Sequence, residues 1–137
     1  MKIIAVAVAL ATGGLMAGIG DESPQYDLKT ELTVSGTIVE INQVPPGKPL
    51  DGVYLKIKTK TDTASVYLAP VEFVKMLDFT FRKGEEIDVT GSKVNFSGDD
   101  LVLARIASVG KTLFTFRDAK GLPNWLWMKR APIPTGL

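Results

Sequence analysis

Tyr54, Lys56, Lys58 and Lys60 alternate with Val53, Leu55 and Ile57 along one short stretch, so they share one face of an extended segment. Tyr67, opposite Val66 and Leu68, is placed on the outward face of the next such segment. Aromatic rings stack on bases or sugar rings while lysines hold anions, which makes this face a candidate binding surface. The same pattern also fits a solvated face whose lysines guard a sheet against edge pairing. A second candidate lies in the run Leu122-Pro123-Asn124-Trp125-Leu126-Trp127-Met128-Lys129-Arg130, which holds both tryptophans. Tryptophan, leucine and methionine ahead of two cations suit a partner groove or a membrane interface. Here Trp125 reads as a core residue that folds back to plug the open end of the barrel. Trp127, with Leu126 and Met128, reads as the contact surface.

Catalytic chemistry is poorly supplied. The chain has 137 residues with no cysteine and no histidine. Disulfides, thiolate nucleophiles, Cys/His zinc sites and the usual general base are therefore missing. Glu85-Glu86 and Asp99-Asp100 are adjacent pairs, and neighbours on a strand point to opposite faces. No calcium-loop spacing accompanies them, and no Gly-x-Ser-x-Gly spacing appears. The expectation is a protein without catalytic residues, metal or cofactor. The 16 basic residues nearly match the 15 acidic ones, for a net charge of +1. A chain this neutral has no long-range field for gathering polyanions, which disfavours nucleic acid as a partner.

The N-terminus indicates export. Lys2 is followed by an uncharged run from Ile3 to Ile19 ending in small residues. Charge, apolar run and small residues together make a Sec-type signal peptide. An uncleaved membrane anchor is the rival reading, although the run falls slightly short of the ~20 residues that span a bilayer comfortably. The expected location is periplasmic or extracellular, with membrane association through residues 3–19 if the segment is retained. Residues 21–28 form a polar leader, expected to be flexible. Residues 29–118 form the domain, and residues 119–137 form a Trp-containing tail.

Within the domain the period is two, the mark of half-buried strands. Leu32, Val34 and Ile38 share one parity, and Val39 and Ile41 take the other after Gly36. A strand that changes its buried face midway requires a bulge or sharp coil, which glycine permits. Pro45-Pro46-Gly47 opens a loop before a second strand, Val53 to Lys60, and a third, Ala64 to Leu68. The period then breaks. Pro70 to Leu77 predicts a short helix with an apolar stripe of Phe73, Val74 and Leu77. Ile87 and Val89 begin a fourth strand whose parity changes after Gly91 to Val94 and Phe96. Ser97-Gly98-Asp99-Asp100 is a hairpin turn before a fifth strand, Leu101 to Ile106. Lys111 to Arg117 is a sixth, shorter one. Three strands, a helix and two strands, with glycine bends in the first and fourth, is the layout of an OB-fold. The fold class expected is thus all-β with one short helix: a five-stranded Greek-key barrel behind an N-terminal signal or anchor.

Ser35-Gly36-Thr37-Ile38, Lys83 to Gly91 and Phe116-Arg117-Asp118-Ala119-Lys120-Gly121 resemble the exported bacterial OB-fold proteins, small periplasmic domains often linked to stress responses. The likeness spans Val34 to Gly121. The Phe-Arg-Asp element falls later here than in that family, and the tail lies outside its pattern. The resemblance implies ligand binding in the envelope and no enzyme activity. Two functions follow as expectations: a binding module for a small ligand, glycan or protein, or a structural accessory subunit of a larger membrane or redox complex, held by its N-terminal segment and Trp-rich tail.

Overall fold

The computed structural model describes residues 23–126. The N-terminal run, Trp127 and Met128 lie outside them. Among the described residues a 3-10 turn (Leu28–Thr30) is followed by six strands and one α-helix: β1 (Glu31–Val44), β2 (Gly52–Lys58), β3 (Thr63–Ala69), α1 (Val71–Met76), β4 (Glu86–Phe96), β5 (Asp99–Val109) and β6 (Thr112–Thr115). The sheet order is β3-β2-β1-β4-β5-β6, and β3 also pairs in parallel with β5 through Val66–Val102 and Tyr67–Leu103. That last pairing closes strands β1 to β5 into a barrel. The short helix between β3 and β4 completes an OB-fold, here with β6 as an additional edge strand beside β5.

Strand β1 belongs to both walls. Glu31 to Thr37 pair with β4, and Thr37 to Val44 pair with β2. Gly36 sits at the handover because nothing larger fits. A Cβ built there would lie 2.1 Å from the Lys58 carbonyl oxygen. The change of buried face comes slightly later than the alternation predicts. The register shifts between Ile38 and Glu40, so Val39 is the extra residue of a bulge and is 41% exposed, while Ile41 turns inward. Val39 is therefore not an inward residue. Leu32, also expected inside, stands near the strand's start and is 36% exposed. Along β4 the register shifts between Thr90 and Gly91, next to the change of face that the sequence places after Gly91, but the extra residue is Arg105 of β5. A Cβ on Gly91 would meet the Leu103 carbonyl oxygen at 2.2 Å.

Val34, Ile38, Leu55, Ile57, Val66, Leu68 and Val89 build the barrel interior. Helix α1 begins after Pro70, whose fixed φ of −58° suits a helix entry. Phe73, Val74 and Leu77 rest against the core as expected. The β4–β5 hairpin turns through Ser97 and Gly98, both at positive φ, a geometry that matches the twist of its strands.

Candidate binding seam

The chain re-enters the barrel wall after β6. Phe116 N–H donates to the Arg105 carbonyl at 2.7 Å, and Asn124 N–H donates back to Phe116 O at 3.0 Å. Between them Asp118 shapes a tight loop. Its Oδ1 accepts from the backbone N–H groups of Lys120 and Leu122, both at 2.9 Å. The Leu122 N–H above all holds the Asp118 carboxyl below its ordinary range. An aspartate that organises its own loop in this way is an Asx-type turn.

This loop delivers Trp125 onto the outer side of β3. Trp125 lies edge-on to Tyr67 with ring centroids 6.2 Å apart, and 5.6 Å from Phe73 of α1. Phe73 in turn meets the fully buried Phe116 at 6.3 Å. Trp125 is 4% exposed and so part of the core, but it covers the outer side of β3 and not an open end of the barrel. The outward placement of Tyr67 does not hold: it is 2% exposed. Its face of β3 is shared with Leu103 of β5 and roofed by Trp125. Burial pushes the Tyr67 phenol far above its ordinary value, and its hydroxyl donates to Asp51 O at 2.7 Å. The signal for this was present as Val66-Tyr67-Leu68-Ala69, a continuous apolar run, which marks a strand covered on both sides.

Tyr54 packs beside Tyr67, ring centroids 5.1 Å apart, and donates its hydroxyl to Leu50 O at 2.6 Å. Burial, aided by the nearby Asp51, pushes its pKa up to about 12. Lys56 and Lys58 lie further along the same face and are exposed. Lys56 approaches Glu40 at 3.8 Å, a solvent-exposed pair that contributes at most about 1 kcal/mol. The predicted face is thus divided. Its tyrosine end joins the seam with Trp125, and its lysine end stays in solvent.

Arg117 was not among the candidate binding residues, yet it is the most unusual group in the seam. It is 5% exposed and lies between two rings, 5.5 Å from the Tyr26 centroid and 5.2 Å from that of Trp125. Its Nη1 donates to Gly121 O at 3.0 Å, and its Nε has no hydrogen-bond partner among the described residues. Burial lowers its pKa, while Tyr67 and Tyr26 oppose the shift. No sequence pattern distinguishes a buried arginine from a surface one. Tyr26 comes from the segment read as a leader. Its hydroxyl donates to Glu31 Oε2, which also accepts from Arg105 Nε at 2.6 Å. Burial above all pushes Tyr26 up to about 12, and the Arg105 guanidinium holds Glu31 below its usual range. Asp27 N–H reaches Ser92 Oγ at 3.0 Å, completing the anchorage of this segment on β4.

Between the Tyr26 segment and the Trp125 loop runs a half-open groove of about 510 Å³, walled by Tyr26, Tyr67, Trp125 and Arg117 and rimmed by Lys120 and Leu126. A family model matches residues 30–114. The chain belongs to the MamS/MamX magnetosome protein family. The matched stretch runs from the foot of β1 into β6, so Arg117 and Trp125 of this family member lie beyond it. No curated protein matches the chain. Among solved structures, two crystal forms of the mitochondrial single-stranded DNA binding protein Rim1 of S. cerevisiae are similar. One is 11% identical with a TM-score of 0.48, covering 65% of this chain and 99% of Rim1. The other is 14% identical with a TM-score of 0.39, covering 64% and 99%.

Among the described residues no group of three or more carboxylates is placed to hold a metal ion. One nucleophile spacing does occur in the sequence, Ser108-Val109-Gly110-Lys111. It falls on the β5–β6 hairpin, with Gly110 at φ 62°, and not on a helix that would stack the lysine beneath the serine.

Proposed function

We propose that this chain is a non-catalytic, exported binding module that serves the magnetosome by holding a protein partner at the seam where the chain leaves its barrel. The observation that carries this reading is the groove itself. It combines aromatic walls with two exposed leucines, Leu122 at 53% and Leu126 at 45%, beside the buried Trp125. Large aromatic anchors ringed by apolar side chains are the usual make-up of protein-binding hot spots. The family supplies the magnetosome context. A lack of histidine and cysteine supports the non-catalytic part, and the Lys2 to Ile19 segment supports export. Polynucleotide is disfavoured because the aromatic end of the β2–β3 face is occupied by the chain's own Trp125, and the net charge is only +1.

Capture from envelope fractions tests the reading. Leu122→Asp with Leu126→Asp should abolish retention of the partner, whereas Lys56→Ser with Lys58→Ser should preserve it. The reverse pattern moves the contact to the lysine end of β2. Protein found only in the cytoplasmic fraction sinks the export part.

A further inference from the structure

The groove is built around a cation that has no counter-charge among the described residues. Among the described residues Arg117 makes no ion pair, although it is 5% exposed. The rings of Tyr26 and Trp125 attract its charge but offer no strong acceptor, and Nε is left without a hydrogen bond. A buried charge is costly unless it is paired, and an unmatched N–H adds to that cost. Lys120 is a second cation on the same groove, and among the described residues no carboxylate side chain lines it. The two tyrosine hydroxyls are already committed, to Glu31 and to Asp51 O.

We infer that the seam groove binds an oxyanion, a carboxylate or phosphate group carried on a small apolar or aromatic body, with Arg117 as its counter-ion and Tyr26 and Trp125 as its walls. The inference goes beyond the partner reading above, although it rests on the same groove. Guanidinium is the side chain best matched to carboxylate and phosphate, which accept its parallel N–H groups. The aromatic walls exclude water and strengthen that attraction. The groove volume of about 510 Å³ is of the size that holds small ligands.

The test uses the full chain with Trp127→Phe, which leaves Trp125 as the single tryptophan reporter. Benzoate and inorganic phosphate are titrated against Trp125 fluorescence, with benzamide and chloride at matched ionic strength as neutral and simple-ion controls. A saturable change with benzoate or phosphate, absent with both controls, is expected. Response to benzoate alone identifies a carboxylate ligand with a ring, and response to phosphate alone identifies a phosphate ligand. Arg117→Gln should weaken binding by roughly 10-fold or more, as expected for loss of a charge-assisted bond. Lys120→Glu changes an exposed residue and leaves the loop's hydrogen bonds in place. It should also weaken binding several-fold, so the result does not depend on Arg117→Gln folding. A flat titration overturns the inference, as does equal response to benzamide or undiminished binding in the Lys120→Glu variant. If partner capture persists while oxyanions fail to bind, the oxyanion inference falls and the partner reading stands. If oxyanions bind while partner capture does not depend on Leu122 and Leu126, the partner reading falls instead.

Discussion

The outer face of β2 and β3 carries two cross-strand pairs of the same kind with opposite fates. Tyr54 pairs with Tyr67 and is drawn under the loops; Lys56 pairs with Ser65 and stays in water. Both pairs stand on one face of one regular ladder, so the ladder does not distinguish them. The loop from Phe116 to Trp125 does, because it crosses only one of them. A residue that looks like part of a binding surface can thus be a core residue whose cover arrives from 58 positions further on, as Trp125 does for Tyr67. The lysine end is left with no cover, and only a weak, exposed contact to Glu40.

The contrast can be broken most directly at its buried end. Tyr67→Ala should destabilise the protein by about 3–5 kcal/mol, the range for emptying a fully packed aromatic site. Trp125→Ala should approach it, both measured by urea unfolding. A loss under about 1 kcal/mol for either would mean the loop does not roof β3. A smaller effect belongs to the backbone beneath the lysine end. Gly36→Ala would set a methyl 2.1 Å from the Lys58 carbonyl oxygen. It should cost about 2–3 kcal/mol, the upper part of the overpacking range. A tolerated alanine would show that β1 need not approach β2 so closely.

Next comes the anchorage of the Tyr26 segment. Glu31→Gln removes the charge that both Arg105 and Tyr26 engage, at a cost of about 1 kcal/mol. The folded-state pKa of Glu31 is depressed, so its contribution is complete above the ordinary glutamate value of about 4.3 and is lost as pH falls below it. Wild type should therefore lose more stability than Glu31→Gln between neutral pH and pH ~3. Parallel acid profiles for the two proteins would remove the linkage. Least of all, Lys56→Ser with Lys58→Ser should change stability by under about 0.5 kcal/mol, as exposed charges do. A larger change would mean that the lysine end is covered after all.

Much of the barrel could be read directly from residue order. Alternation located β1 to β5, the break in period after Leu68 located α1, and Gly91 marked the register shift against β5, where Arg105 is the extra residue. These are local properties: a strand's period, a helix's stripe and a glycine's missing Cβ are written in neighbouring residues. The misplacements have a common cause as well. Alternation places Val39 inward because it cannot say which residue of a strand will be the extra one in a bulge. That is decided by register against β2. Alternation places Tyr67 outward because period two reports two faces and not what covers each of them.

Residue order is enough for a neutral chain without histidine or cysteine, an apolar N-terminal run, and strands and a helix in OB order. Which aromatics become wall and which become core follows from packing, as does the position of Arg117 between Tyr26 and Trp125. The reason is one of range. Secondary structure follows from contacts a few residues apart. The seam is assembled from a segment before β1, the outer face of β3 and a loop after β6, and only closure of the barrel brings these together.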